Sequence, residues 1–175
     1  MREIGKRNET AFAVLYDRYS PRMYRFFLRM LDGDTALAED FTQDIFLKII
    51  EKPQSFDTNR HFRTWLYKVA YNLCKNEYRR AARTLPPQEK WEERLPEELD
   101  RPQFEQCLKN AIAALEAAHR QCFVLRYQET LSVAEIAQIL ECPEGTVKSR
   151  IFYALRQVSA RMAQWKNWQI AMPQL

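Results

Sequence analysis

Glycine is scarce in this chain, with only three among 175 residues, and no segment alternates apolar with polar residues as a half-buried β-strand does. Apolar residues instead recur at the three- and four-residue spacing of a helix face over long stretches. Hydrophobic residues make up 46% of the chain, which is enough to bury a core. The sequence therefore predicts an all-α protein, built as one domain or as two small ones.

Long hydrophobic runs are also missing. No stretch of about 18 apolar residues could span a bilayer, and no basic segment followed by an apolar one opens the chain as a leader would. We therefore expect no membrane insertion and a cytoplasmic location. The net charge of +4 is mildly basic, which permits a nucleic-acid partner without requiring one.

The cysteines do not form a recognisable site. Cys74, Cys107, Cys122 and Cys142 contain no CxxC pair, so their spacing indicates neither a zinc site nor a disulfide framework. His119 precedes Cys122 by three residues, but two ligands do not complete a structural zinc site. We expect buried, reduced thiols, no metal and no cofactor.

Residues 131–158 have the pattern of a helix-turn-helix. Ser132 and Glu135 are spaced as a capping box, in which each side chain accepts a hydrogen bond from the other residue's backbone N–H. Pro143 suits the start of the second helix because its φ is already helical. The predicted buried stripes are Val133, Ile136, Ala137 and Leu140 in the first helix, and Val147, Ile151, Ala154, Leu155, Val158 and Met162 in the second.

The opposite face of the second helix carries residues that suit duplex DNA. Cations neutralise phosphates or bind guanine edges, a hydroxyl bonds to either, and an aromatic ring contacts a thymine methyl. An ordinary helical hairpin with a solvated basic face is the alternative. The outward residues are Lys148, Ser149, Phe152, Tyr153 and Arg156.

The N-terminal part is predicted to form several amphipathic helices. Ser20 and Pro21 resemble a cap and first turn between two of them, and Pro53 ends a third. The predicted core stripes are Phe12, Leu15, Tyr16 and Tyr19; Met23, Phe27, Met30 and Leu31; Leu37, Phe41, Ile45 and Ile49; and Phe62, Leu66, Val69, Ala70 and Leu73.

The last of these helices combines positive charge with aromatic rings. This combination suits single-stranded nucleic acid, because cations neutralise the backbone while bases stack on the rings. A solvated basic helix with half-buried aromatic residues explains the same composition. The basic residues are Arg63, Lys68, Lys75, Arg79, Arg80 and Arg83, and the aromatic residues are Trp65, Tyr67, Tyr71 and Tyr78.

A proline-rich acidic segment separates the two parts. Prolines 86, 87, 96 and 102 interrupt the helical pattern. Between Glu89 and Glu105 seven acids and three bases leave a net charge of −4, which DNA phosphates would repel. We predict two small helical domains, residues 1–84 and 103–175, joined by a flexible acidic linker at residues 85–102.

Three segments, in this order, resemble the extracytoplasmic-function (ECF) class of bacterial sigma-70 factors. Residues 12–16 with Tyr19, then Ala38–Phe46, and Phe62–Leu73 followed by Arg79 and Arg80, are similar to region 2 of that family. Residues 145–150, which end the helix-turn-helix motif, are similar to region 4. The resemblance covers nearly the whole chain, with a region 2-like helical bundle and a region 4-like helix-turn-helix domain.

The resemblance implies a protein that binds core RNA polymerase, recognises promoter DNA as duplex at the −35 element and as single-stranded non-template DNA at the −10 element, and promotes melting. It also implies an anti-sigma factor as a partner. Tyr153 departs from the family, in which many members carry a basic residue at this position. The implied residues are Asp40, Gln43 and Asp44 for polymerase; Asp57, Asn59, Arg60, Phe62, Trp65, Tyr71, Asn72, Lys75, Arg79 and Arg80 for the −10 element; and Thr146, Lys148, Ser149, Phe152, Tyr153 and Arg156 for the −35 element.

Two other functions compete with this interpretation. A free-standing helix-turn-helix regulator would bind duplex operator DNA without polymerase, but it leaves the surface from Trp65 to Arg83 unexplained. A nucleic-acid enzyme has no support, because the acid pairs Glu39-Asp40 and Glu92-Glu93 lack an accompanying metal-ligand set and no nucleophile has a nearby base. We therefore expect no catalytic activity.

Overall fold

The computed structural model describes residues 1–6, 8–81, 101–163 and 165, and every regular element among them is helical. The all-α prediction is therefore confirmed. A 3₁₀ turn (Pro53–Ser55) follows the third helix and a π-helical turn (Val124–Gln128) follows the sixth. The helices are α1 (Arg2–Gly5), α2 (Glu9–Met30), α3 (Thr35–Glu51), α4 (Phe62–Ala81), α5 (Arg101–Ala113), α6 (Ala117–Phe123), α7 (Val133–Leu140) and α8 (Glu144–Arg161).

The chain divides into two compact units. One consists of Met1–Glu77 together with Ala137–Cys142, and the other of Tyr78–Ile136 together with Pro143–Leu175. Residues 82–100, which include most of the predicted linker and Arg83, lie outside the described residues. Helix α5 begins at residue 101, so Pro102 lies in its first turn, where a missing N–H costs no intrahelical bond.

Helix α2 runs without interruption through Pro21, so the predicted break at Ser20 and Pro21 is wrong. An interior proline removes one backbone hydrogen bond and costs about 3 kcal/mol. Packing on both sides of the proline compensates for this cost. Before it, Tyr16 meets Phe46 of α3 at a centroid distance of 4.8 Å, and after it Phe27 meets Phe41 at 5.6 Å. Only a continuous α2 keeps both contacts with the same partner helix.

The buried face of α3 differs from the predicted stripe. Ile45 and Ile49 are fully buried as expected, whereas Leu37 and Phe41 are only half-buried. A strict four-residue repeat drifts around a helix of 3.6 residues per turn, so the buried face must include positions spaced by three. The buried residues are Ala38, Thr42, Ile45, Phe46 and Ile49.

The core of α4 includes Tyr67, which the sequence placed on the basic and aromatic surface. Tyr67 is 1% exposed and packs edge-to-face on Phe26, with the ring centroids 5.3 Å apart. Leu66 and Ala70 are buried as predicted, while Phe62, Val69 and Leu73 are half-buried. The prediction that all four aromatic residues of α4 lie on the surface is therefore wrong for Tyr67.

The second unit contains the predicted helix-turn-helix elements. Ser132 Oγ accepts a hydrogen bond from the Glu135 N–H at 3.2 Å, and Glu135 Oε2 accepts one from the Ser132 N–H at 2.9 Å, so the capping box is confirmed. Helix α8 buries Val147, Ile151, Ala154, Val158 and Met162 as predicted, and Leu155 is half-buried.

Candidate nucleic-acid and protein interfaces

The solvent face of α3 carries the three residues predicted to bind a protein partner. Asp40, Gln43 and Asp44 are all exposed, and the spacing of three and four places them along one side of the helix. The buried residues on the opposite side hold α3 against α2. Substitutions on this exposed face therefore leave the core intact.

Two large apolar side chains extend the same face, and sequence reasoning did not select them. Leu47 is 53% exposed and Ile50 is 49% exposed. Leu47 follows Gln43 by four residues and Asp40 by seven, so it continues their row. Their signal in the sequence was apolar character away from the Ile45 and Ile49 positions. An apolar pair beside exposed acids is typical of a docking surface.

Asp57 organises the loop that leads into α4. Its Oδ1 accepts a hydrogen bond from the Asn59 N–H at 3.0 Å, and its carbonyl accepts one from the Arg60 N–H at 3.0 Å. Its Oδ2 also lies 3.4 Å from Arg60 Nε. These contacts form a side-chain-stabilised turn. The Asn59 and Arg60 side chains are exposed at its tip.

An aromatic cluster lies directly behind this loop. Phe62 and Trp65 have their ring centroids 5.6 Å apart, and Phe56 lies 5.4 Å from the first and 5.3 Å from the second. Tyr19 of α2 adds a fourth ring, 5.3 Å from Phe62. Sequence reasoning missed Phe56, which is 9% exposed. Phe62 and Trp65 remain half-buried, so each ring both packs in the cluster and presents an accessible part.

A cavity of about 240 Å³ opens beside the loop. Phe56 and Thr58, the neighbours of Asp57 in the chain, form part of its wall, and Gly5 of α1 forms another part. The cavity therefore shares a wall with the aromatic cluster. It offers a concave surface next to the exposed Asn59 side chain.

The rest of the predicted single-strand surface follows the exposed side of α4. Lys75 Nζ lies 6.0 Å from the centre of the Tyr71 ring, at the outer limit of a cation–π contact. Asn72, Arg79 and Arg80 are exposed. The order along the helix is thus the polar loop, then half-buried rings, then cations.

Helix α8 presents its predicted outer face to solvent. Lys148, Ser149 and Arg156 are exposed, and Thr146 is half-buried. The Ser149 hydroxyl donates to the Thr146 carbonyl at 3.0 Å, which leaves the oxygen of that hydroxyl as an acceptor. Two aromatic side chains are unusually exposed on the same face: Phe152 at 61% and Tyr153 at 51%.

The described residues contain neither a metal-binding cluster nor a membrane-spanning helix. No group of three or more His, Cys, Asp and Glu side chains among them is placed to hold an ion. No helix in the described part of the chain is long and apolar enough to cross a bilayer. Of the four cysteines, Cys74 and Cys122 are buried and the other two are half-buried. Burial raises the pKa of the Cys74 thiol.

Comparisons with known proteins agree with this arrangement. The family model of sigma-70 region 2 matches residues 15–84, and that of sigma-70 region 4 matches residues 105–158. The ECF RNA polymerase sigma factor SigW of Bacillus subtilis is 32% identical over 166 residues, which cover 86% of this chain and 88% of SigW. SigL of Mycobacterium tuberculosis, also an ECF sigma factor, is 37% identical over 150 residues, which cover 82% of this chain and 84% of SigL.

Two solved structures share the fold. The sigma factor RpoE of Bartonella quintana, in complex with the anti-sigma factor NepR, matches with a TM-score of 0.71 and 22% identity, covering 87% of this chain and 97% of that one. CnrH, in complex with the cytosolic domain of CnrY, matches with a TM-score of 0.70 and 22% identity, covering 94% and 96%. At this identity the similarity establishes the fold alone.

The two matched regions define a sigma factor, a class of transcription initiation factors rather than enzymes. Over most of its length the chain belongs to the ECF class of the sigma-70 family. It therefore acts as a promoter-specificity subunit, which binds core RNA polymerase, recognises the −35 and −10 promoter elements and promotes DNA melting.

Proposed function

We propose that three separate surfaces of this chain carry the steps of promoter recognition. The observation that carries the proposal is that chemically different exposed surfaces fall within the two matched regions: an acidic and apolar helix face and a polar loop backed by aromatic rings in the first, and a basic helix face in the second. Each surface suits a different partner. We further propose that residues 1–84 and 103–175 act as the two domains, with residues 85–102 as their linker.

The α3 face is the proposed binding site for core polymerase. Asp40, Gln43 and Asp44 supply exposed polar and acidic groups, and Leu47 and Ile50 supply apolar area beside them. A partner patch with cations around an apolar centre would complement this surface. The apolar pair would provide affinity, while the acids would select the partner and its orientation.

The loop and the exposed side of α4 form the proposed binding site for the non-template strand of the −10 element. An extruded base needs hydrogen-bonding groups for its edge and a stacking surface for its face. Asn59 and the cavity beside Thr58 offer the first, and Trp65 offers the second. Asp57 acts through the shape of the loop, because its carboxylate is already bonded to the Asn59 N–H and close to Arg60. Phe62, Tyr71, Asn72, Lys75, Arg79 and Arg80 complete the proposed surface.

The outer face of α8 is the proposed reader of the duplex −35 element. Lys148 and Arg156 would neutralise phosphates or contact guanine edges, and Ser149 would bond to a base or a phosphate. Thr146, Phe152 and Tyr153 belong to the same proposed surface. Both aromatic rings are exposed without being required by the core, which supports a role in binding.

An anti-sigma factor is a further proposed partner, and the proposed location is the cytoplasm, where core polymerase and promoter DNA are found. The solved complex of RpoE with NepR supports the first proposal, because a chain of the same fold binds such a factor. The exposed Leu47 and Ile50 pair would be available to a competing protein. We propose no catalytic activity for the chain itself.

The decisive experiment is transcription from genomic DNA with purified protein and core polymerase, followed by sequencing of transcript 5′ ends. We expect new start sites that share two sequence elements upstream, and no such sites with core polymerase alone. A gel shift of the same promoters separates the alternative regulator. Tight duplex binding by the protein alone, with start sites unchanged by its addition, would contradict the proposal.

A further inference from the structure

Tyr153 is held between two other rings on the outer face of α8. The Phe152 ring meets it edge-to-face, with centroids 5.6 Å apart and planes at 75°. The imidazole of His119, from α6, lies 6.1 Å away at 43°. Tyr153 is nevertheless 51% exposed. One part of its ring is therefore fixed by protein contacts while the remainder faces solvent.

His119 is well placed to fix this ring because it is itself constrained. It lies in the first turn of α6, where its N–H donates to the Glu116 carbonyl at 2.9 Å. Only 19% of its side chain is exposed, and Nδ1 lies 3.6 Å from Glu116 Oε2. Helices α6 and α8 pack against each other within the same unit. The imidazole therefore acts as a support for Tyr153 that originates outside the recognition helix.

A supported tyrosine recognises DNA differently from the basic residue that many family members carry at this position. Its ring is neutral, so it provides no charge for a phosphate, but it offers an apolar edge and a hydroxyl group. In the major groove only thymine presents a methyl group to an apolar contact. A ring that is already fixed loses little conformational freedom when it makes that contact.

We propose that His119 is a positioning residue for −35 recognition: it holds the Tyr153 ring on the outer face of α8, where the ring contacts the C5-methyl group of a thymine. The inference rests on the proposed function of α8 and assigns a specificity to it. His119 itself touches no DNA. Its effect is transmitted through the orientation of the Tyr153 ring, and it depends on an aromatic ring at residue 119.

The test replaces single thymines in the −35 element by uracil, which removes only the methyl group. Affinity of the holoenzyme for each promoter fragment is measured by competition. For the parent protein we expect one thymine whose replacement weakens binding by about fourfold, the contribution of one buried methyl-sized group. Tyr153→Ala should abolish this difference. His119→Ala should reduce it, and His119→Phe should restore it by supplying a ring.

Three controls separate a positioning role from a general one. Glu116→Gln keeps the imidazole and should discriminate between thymine and uracil as the parent does. Thermal unfolding must show that each variant is folded, and His119→Leu replaces His119→Ala if the alanine variant unfolds. Equal discrimination in the parent, His119→Ala or His119→Leu, and His119→Phe would overturn the proposal. So would the absence of any thymine-dependent difference in the parent.

The same fragments distinguish this outcome from failure of the proposed −35 role. A scrambled −35 element should weaken holoenzyme binding regardless of residue 119. If scrambling has no effect, α8 does not read this element and the proposed function of α8 is wrong. If scrambling weakens binding while uracil replacement does not, the proposed function stands and the role of His119 is refuted.

Discussion

Tyr67 of α4 packs edge-to-face against Phe26 of α2, with the ring centroids 5.3 Å apart. Its exposed neighbour in sequence pattern, Tyr71, lies four residues later and stays half-buried beside Lys75. Two tyrosines with the same helical spacing therefore have different roles, one in the core and one at the surface. This difference gives the first prediction.

Tyr67→Ala is expected to destabilise the first unit by about 3 to 5 kcal/mol, because it removes a fully buried ring and leaves a cavity. Tyr71→Ala is expected to cost clearly less, since its ring is only partly buried. Denaturant unfolding of both variants provides the measurement. Comparable stability losses would show that Tyr67 does not hold α2 and α4 together.

The double variant Asp40→Arg with Gln43→Ala is expected to weaken binding to core polymerase by about tenfold, because a new cation would face a basic partner patch. Folding should be nearly unchanged, since both residues are exposed. Asp17→Arg on the exposed side of α2 is the matched control. Co-purification with polymerase gives the comparison, and equal yields for parent and double variant would remove α3 from the docking surface.

Lys148→Ala and Arg156→Ala are each expected to lower the salt dependence of −35 binding by roughly one unit of slope, because each loses one phosphate contact. Ser149→Ala should instead change sequence preference. Lys109→Ala removes an equal charge from exposed α5 and serves as the control. Affinities of the holoenzyme measured over a range of salt concentrations test this. Slopes unchanged from the parent in both cationic variants would rule out phosphate contacts for them.

Asn59→Ala and Trp65→Ala are expected to impair promoter melting more than initial duplex binding, because a base is available for stacking only after it is extruded. Loss of a stacking partner should cost about 1 to 3 kcal/mol in the open complex. Phe62→Ala should act in the same direction, but its contacts with Tyr19 and Phe56 predict an additional loss of folding stability.

Permanganate reactivity of the −10 region measures melting, and thermal unfolding identifies variants with a weakened fold. A template with a mismatched −10 region should rescue the folded variants. Normal reactivity on duplex promoter, together with no rescue by premelting, would exclude these residues from melting.

Thr130→Gly is expected to stabilise the second unit by about 1 kcal/mol. Thr130 has a φ of +54°, a conformation in which a β-branched residue is strained and glycine is not. The gain is limited because glycine also increases the entropy of the unfolded chain. Thr130→Ala keeps a Cβ and should show a smaller gain. Thermal unfolding decides, and a lower melting temperature for the glycine variant would contradict the expected relief of strain.

The sequence by itself determined the helical class, the capping box at Ser132 and Glu135, and the outward face of α8. These features depend on local periodicity and capping, which neighbouring residues in the chain specify. The family was also readable from the residues, because three characteristic segments occur in one order. The assignments of individual DNA- and polymerase-binding residues remain predictions.

Only the tertiary structure decided which amphipathic face was buried where two faces were both apolar. It joined the segments on either side of Pro21 into one helix, because contacts of Tyr16 and Phe27 with α3 outweigh one lost hydrogen bond. It buried Tyr67 and left Leu47 and Ile50 exposed. It also brought His119 beside Tyr153, 34 positions later in the chain. Such contacts depend on how helices pack against one another, which the periodicity of a single helix does not specify.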